Sequence, residues 1–429
     1  MREQQAPARD RWYVLIVLTI VYAINIADRF SISTLIEPIR KELELSDSEV
    51  GVLTGVALGI FYVLVGLPLG RLADRANRQR ILTVALATWS LLTALCGLTR
   101  NYWQLFGARI GVGIGEAGGT PPSTSILADK FTARWRPLAL SVFALGASLG
   151  SWIGTSLVGR VEAEHGWRAS FLALGLPGLA VALLVGLTVR EPRRGQSDAA
   201  GSDARSAGFL ETLRYIRTRP AVWHFMVGST VLTFWSWGLL WWTPAFLGRT
   251  YQMTVAEAGD TLGPMHLIAG TGVTLLAAWV MTHARAADSS SVMRLMTWVT
   301  LLAVGPSILV YATDNRQVAV ALLWVFVPAI YFWLGPMFGV LQNLVPSGMR
   351  AQACALFLFV TNVANLIVAP QLIGSLSDGF RAAFGTGDAS LRWALAGCAT
   401  SGFWAAWHLW RCGRLIRAEQ HLAAAYKPT

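Results

Sequence analysis

Asn25-Ile26-Ala27-Asp28-Arg29 places two opposite charges near the middle of an apolar run from Trp12 to Ile36. A charged side chain at membrane depth costs about 3 kcal/mol on insertion scales, so such a residue is read by default as functional. Here two stand side by side. Neighbouring residues on a helix point about 100° apart, so Asp28 and Arg29 cannot readily neutralise each other and each needs a partner on another segment.

Outward from this stretch, the 429-residue chain is 54% hydrophobic and only 14% charged, with a mean hydropathy of +0.49, which excludes an ordinary soluble protein. A spanning helix needs about 20 apolar residues. Twelve windows qualify: 12–36, 48–72, 80–99, 102–127, 136–159, 168–189, 221–248, 256–282, 292–313, 317–344, 351–376 and 390–411. The sequence therefore predicts an all-α membrane protein of twelve transmembrane helices in two pseudo-symmetric six-helix halves. The divisions are an N-terminus over 1–11, a first bundle over 12–190, a linker over 191–219, a second bundle over 220–412 and a tail over 413–429. About ten polar residues precede the first span with no small-residue cleavage site, so that span is read as retained.

Most of the 35 Lys and Arg fall on the side of the termini, which the positive-inside rule makes cytoplasmic. The formal net charge of +11 is then explained by basic loops beside anionic lipid, with no nucleic-acid partner. The four cysteines lie singly in or beside spans and read as packing residues, with no metal or disulfide spacing. A bacterial inner-membrane protein acting as a monomer is the expectation.

The fourth span supplies candidate partners for the first. It carries Arg109-Ile110-Gly111-Val112-Gly113-Ile114-Gly115-Glu116. Arg109 and Glu116 stand two turns apart, on one face and about 10 Å apart along the axis. Depth matches Asp28 with Arg109, while Glu116 lies deeper, within reach of a long Arg29 side chain. The expected pairs are Arg29 with Glu116 and Asp28 with Arg109. Pro121-Pro122 should kink or unwind the inner end of this helix. Gly146, Gly150 and Gly154 form a close-packing stripe in the fifth span.

Ser46-Asp47-Ser48-Glu49 is a capping box that starts the second span, and Thr254-Val255-Ala256-Glu257 repeats it. Leu45 to Gly51 aligns without a gap on Met253 to Gly259, a weak repeat that argues for two halves of common architecture. The second span ends in Gly70-Arg71-Leu72-Ala73-Asp74-Arg75-Ala76-Asn77-Arg78-Gln79-Arg80. In the second half, Phe234, Trp237 and Trp241 follow an i, i+3, i+7 pattern and should share a face of the seventh span. Tyr331 stands in the tenth span, and Asn362 and Asn365 one turn apart in the eleventh. These aromatics form either a cavity wall or a packing surface, and His266 in the eighth span reads first as a packing residue. No metal cluster, nucleophile with base, or phosphate-binding loop is found, so no enzyme is expected.

Asn25, Asp28 and Arg29, the run Asp74 to Arg80, Trp89, Arg109 through Ala117, Asp129 and Arg136 together resemble the spinster-like lipid transporters of the major facilitator superfamily. The resemblance implies alternating access between the halves around a central cavity. It implies proton coupling through Asp28, Arg29 and Glu116, with Arg109 beside them. It implies a conformational latch at Gly70, Asp74, Arg75, Arg78 and Arg136, acting by charge contact between the halves. Substrate contacts would be Arg29, Asn25, Phe234, Trp237, Trp241, Tyr331, Asn362 and Asn365. No cofactor is implied beyond the proton, and the partners are the bilayer and a lysophospholipid, a sphingolipid or a similar amphipathic anion. Two other readings stay open: a proton-linked carrier of small organic acids or drugs, and a pore or lipid-dependent sensor without coupled exchange.

Overall fold

The computed structural model describes residues 8–73, 75–132, 135–194, 208–283 and 288–425. Among them there is no strand, and the helices group into twelve rods. α1 is Ala8–Thr34, α2 spans 47–73, α3 is Arg78–Cys96, α4 spans 102–130, α5 spans 136–165 and α6 spans 167–188. α7 spans 220–251, α8 255–283, α9 is Ser289–Ala312, α10 316–344, α11 350–384 and α12 389–425. Short helices Ile36–Glu42 and Phe209–Thr218 lie between rods.

Polar residues start the rods by satisfying free backbone N–H groups, each worth roughly 1 kcal/mol. Both capping boxes form, Ser46 with Glu49 on α2 and Thr254 with Glu257 on α8. Asn77, Asn101, Asp288 and Asn315 do the same for α3, α4, α9 and α10. Among the described residues, seven stretches are long and apolar enough to cross a membrane by length and composition. One of these, Leu138–Thr188, has 51 residues, about twice what the hydrocarbon core accommodates. It reverses at Gly166, whose φ of 78° only glycine adopts freely, and Ser170 Oγ then donates back to the Val158 carbonyl at 3.2 Å.

Three rods are interrupted. α4 breaks between Glu116 and Thr120, where Pro121 and Pro122 begin a new segment, as their position predicts. α10 breaks after Ala329, beyond Pro328, and resumes at Leu334. α12 breaks at Thr400. Wide π-type turns occur at Val52–Val56 in α2, Ile153–Leu157 in α5, Phe234–Gly238 in α7, Met265–Gly270 in α8 and Val363–Val368 in α11. α2 with α8, and α5 with α11, are the counterparts related by the half-repeat, so four of the five turns fall on equivalent rods.

Glycines set the spacing around α1 and α4. A Cβ on Gly150 of α5 would stand 2.3 Å from the Ala23 carbonyl oxygen of α1, and one on Gly154 would stand 2.5 Å from Phe30 Cβ. On α4, a Cβ on Gly113 would meet the Leu58 carbonyl of α2 at 2.4 Å and one on Gly115 would meet Trp89 Cβ of α3 at 2.8 Å. Backbones pack here without intervening side chains. All four cysteines are free.

The chain divides into two compact units, and the division differs from the expected one. The first comprises residues 1–200 with 247–267, and the second 201–246 with 268–429. The end of α7 and the start of α8 thus belong with the first six rods. Small residues bring this about: a Cβ on Gly259 would stand 2.4 Å from the Thr155 carbonyl oxygen, and Ser156 Oγ donates to the Gly259 carbonyl at 2.8 Å. The expected tail also differs, because α12 continues to Ala425. Cys412 and Ile416 are buried on its inner face, and Ser290 Oγ of α9 donates to the Gly413 carbonyl at 2.9 Å. Of the expected linker, residues 195–207 lie outside the described residues. Its first residues are strapped down: Arg194 Nη2 donates to the carbonyls of Ala73 and Ala76 at 2.7 and 2.6 Å.

Gly150→Val should lower thermal stability in detergent by about 1–3 kcal/mol through overpacking against Ala23. Gly70→Ala, where an added Cβ meets nothing within 4 Å, should leave it unchanged.

Candidate functional site

Within the first unit, α1 and α4 bring four ionisable side chains together. Arg29 Nε donates to Glu116 Oε2 at 2.7 Å, and Arg109 Nη1 donates to Asp28 Oδ2 at 3.3 Å. These are the pairs that depth along the helices predicts. Thr93 Oγ1 of α3 donates to Asp28 Oδ1 at 2.8 Å, and the Arg29 guanidinium lies 4.4 Å from the centre of the Tyr62 ring on α2. Glu116 also lies within electrostatic reach of Asp28 and Arg109. Two anions and two cations cancel, which is what a low-dielectric interior demands.

The pairs differ in access. Both side chains of Arg109–Asp28 are sealed, at 0% and 2% exposure, whereas Arg29 is 12% exposed above a Glu116 at 0%. Glu116 Oε1, Arg109 Nε and Nη2, and Asn25 Nδ2 are buried without a hydrogen-bond partner among the described residues. Glu116 therefore keeps acceptor capacity beyond its bond to Arg29. It is also the last residue before the break in α4. His266 is buried and packs edge-on against Phe30, ring centres 4.9 Å apart.

Of the basic loop after α2 and the cations expected to act with it, Arg78 and Arg136 have hydrogen-bond partners within the first unit. Arg78 is 2% exposed, and its guanidinium is taken up by Asp129 and Ser125 of α4 and by Glu191 and the Pro192 carbonyl after α6, all in the first unit. Its place at the first turn of α3 points it between these elements, so it staples one bundle. Arg136 Nη2 donates to the Ala128 carbonyl at 2.8 Å, also within that bundle. Gly70 faces open space rather than a neighbouring helix, and Arg75 is exposed. Asp74 lies outside the described residues.

A charged contact the sequence reading missed lies at the end of the first unit away from the termini. Arg249, at the close of α7, donates to both carboxylate oxygens of Asp47 at 2.8 and 2.6 Å and to Glu37 Oε1 at 2.6 Å. Asp47 and Arg249 are 0% and 2% exposed in their side chains. The signal was available in the acid-rich loop Glu37 to Asp47, which calls for a cation. At the same end, hydrogen bonds from Trp167 and Arg168 hold the Glu42 carboxyl below the usual carboxylate range.

In the second unit, Trp237, Trp241, Tyr331 and Asn365 come together. Trp237 lies 6.3 Å from Trp241 and 5.5 Å from Tyr331 between ring centres, and Trp241 Nε1 donates to Asn365 Oδ1 at 2.8 Å. Phe234 does not join them by ring contact, and Asn362 makes no hydrogen bond among the described residues. A wide turn over Phe234–Gly238 interrupts the regular helical period in this stretch. Trp235 and Trp242 are structural, donating to Ser307 Oγ and the Pro370 carbonyl.

Twelve apolar rods in two repeated halves, with buried charges on the first and fourth, define a polytopic transporter. The pattern of the Major Facilitator Superfamily matches residues 18–369, and the chain belongs to that family, in its spinster-like branch. It is 30% identical over 370 residues to an MFS-type efflux pump of Mycolicibacterium smegmatis, covering 86% of this chain and 85% of that one. It is 26% identical to the sphingosine-1-phosphate transporter SPNS2 of Danio rerio, over 87% of this chain and 77% of that one. Among solved structures, a bacterial homologue of the human lysosomal transporter spinster, inward-facing and unoccupied, superposes with a TM-score of 0.82 at 26% identity. That match covers 99% of this chain and 100% of the other. The protein is thus a multi-pass integral membrane protein.

Arg109→Leu should destabilise the protein by about 3–5 kcal/mol, because it strands the buried Asp28 carboxylate. Asp28→Leu combined with Arg109→Leu should recover most of that loss in detergent thermal unfolding.

Proposed function

We propose that the protein is a secondary transporter working by alternating access, coupled to protons, that moves a lysophospholipid, a sphingolipid or a similar amphipathic anion. The observation that carries this reading is the Arg29–Glu116 pair, in which the cation is partly exposed and the anion sealed behind it. A proton on Glu116 removes its charge and weakens the bond that holds the guanidinium, which then turns to a phosphate or carboxylate. An anion that engages Arg29 in turn takes away the cation bonded to Glu116. Proton and substrate are therefore linked through one side chain, and by thermodynamic necessity the linkage is reciprocal. The permanently paired Asp28 and Arg109 hold the surrounding charge fixed while this exchange occurs.

In the second unit, the Trp237, Trp241 and Tyr331 rings with Asn365 provide an aromatic surface suited to an apolar chain. SPNS2, a relative by sequence, carries a sphingolipid phosphate in its name, which supports the same substrate class. Under alternating access, the clasp of Arg249 with Asp47 and Glu37 holds one state and parts in the other. The cation bias towards the termini supports a cytoplasmic location for both ends in a bacterial inner membrane. The relation to an efflux pump favours, as a second reading, export of small organic acids or drugs.

Purified protein in liposomes distinguishes these readings. Uptake of lysophosphatidylglycerol should respond to an imposed pH gradient, and Glu116→Gln should abolish that response while leaving the protein folded. Flux that ignores the gradient, together with unchanged transport in Glu116→Gln, would overturn the coupling. Gradient-driven movement of a hexonate but not of the lysolipid would give the second reading.

A further inference from the structure

The second unit carries a recess of about 720 Å³ between α9 and α12 that the transport site does not use. Its walls are Trp298 on α9 and Phe403, Trp407 and Trp410 on α12, which are 41–64% exposed. At the end nearest the C-terminus it is rimmed by Arg294, Arg414 and Arg417, all exposed. The absence of a side chain at Gly413 brings the rods together at the base of the rim, where a Cβ would stand 3.1 Å from that of Met293.

Each half of this arrangement follows helical spacing. Phe403, Trp407, Trp410 and Arg414 recur at i, i+4, i+7 and i+11 on one face of α12, and Arg294, Trp298 and Leu301 at i, i+4 and i+7 on α9. From Phe403 to Arg414 the helix rises roughly 16 Å, which matches the hydrocarbon depth of a single leaflet. The apolar furrow is therefore one acyl chain long, and the cations stand where the headgroup of that leaflet begins.

Charge selects the headgroup. No acid lines the recess among the described residues, and Asp288 at the start of α9 is engaged by Arg417 Nη2 at 2.9 Å. Arg294 donates to Ser291 Oγ at 3.0 Å and Arg414 lies 5.1 Å from the Trp410 ring centre, which leaves most of their N–H groups available. Guanidinium groups clamp phosphate with paired hydrogen bonds, and tryptophan is the residue suited to the boundary between chain and headgroup. We propose that the groove between α9 and α12 is a binding site for an anionic phospholipid of the leaflet on the side of the termini, with its phosphate on Arg294, Arg414 and Arg417. The site is independent of the transport reading, because it faces the bilayer and shares no residue with Arg29 or Glu116.

The test is native mass spectrometry of the full-length protein in detergent, titrated with phosphatidylglycerol, phosphatidylcholine or inorganic phosphate. Phosphatidylglycerol should be retained about tenfold better than phosphatidylcholine, and inorganic phosphate should not displace it at equal concentration. Arg294→Gln with Arg414→Gln should erase that preference, Arg294→Lys with Arg414→Lys should keep part of it, and Trp298→Ala should weaken retention of both lipids. Equal retention of the two lipids by the wild-type protein would overturn the proposal without any variant. Displacement of phosphatidylglycerol by inorganic phosphate would show that the cations bind free anion, and would overturn the acyl-chain part.

Discussion

The first unit depends on a closed account of charge. Four ionisable groups lie together between α1 and α4, and a charge left alone in that environment would cost several kcal/mol. Arg109 and Asp28 meet this requirement with almost no exposure, helped by Thr93, while Arg29 and Glu116 meet it at the edge of what water reaches. The two pairs thus differ in access, Arg109 and Asp28 being buried and Arg29 partly exposed. Around these pairs the glycines of α4 and α5 let neighbouring helices approach closely, at Ala23, Leu58 and Trp89 among others.

The same logic organises the ends of the first unit. At the end of the termini, Arg78 draws α3, α4 and the segment after α6 together. At the other end, Arg249 does so for the short helix after α1, the start of α2 and the close of α7. Both cations are buried and multiply bonded, the condition in which an ion pair resists both salt and solvent. Arg249 differs in that its own helix belongs mostly to the second unit. It ties a segment of the second half of the sequence to the first six rods.

Much of this could be read from the sequence, for reasons that differ from residue to residue. Asp28, Arg29, Arg109 and Glu116 were legible because charge within apolar spans is scarce and helical depth is arithmetic, which left few ways to pair them. The capping boxes at Ser46 and Thr254 were legible because their chemistry is local. The partners of Arg78 were not legible, since a basic loop has many possible acids and only the fold shows that Asp129 and Glu191 converge on it. Arg249 was missed because it ends an apolar span, where a lone cation looks like an interface anchor. The wide turn at Phe234–Gly238 was not legible, because such a turn leaves no reliable mark in composition.

Those wide turns have a practical consequence for anyone mapping the protein from outside. Each inserts about one residue into its rod, so side chains before and after it are rotated by roughly 100° relative to a uniform spiral. A probe walked along α7, α8 or α11 will register a sudden phase jump at the insertion, and residues that look aligned on a drawn wheel will report two unlike surroundings. Removing a single residue from 234–238 would straighten α7, yet it would also swing Trp241 away from Asn365 or Phe225 out of its place beside Phe357.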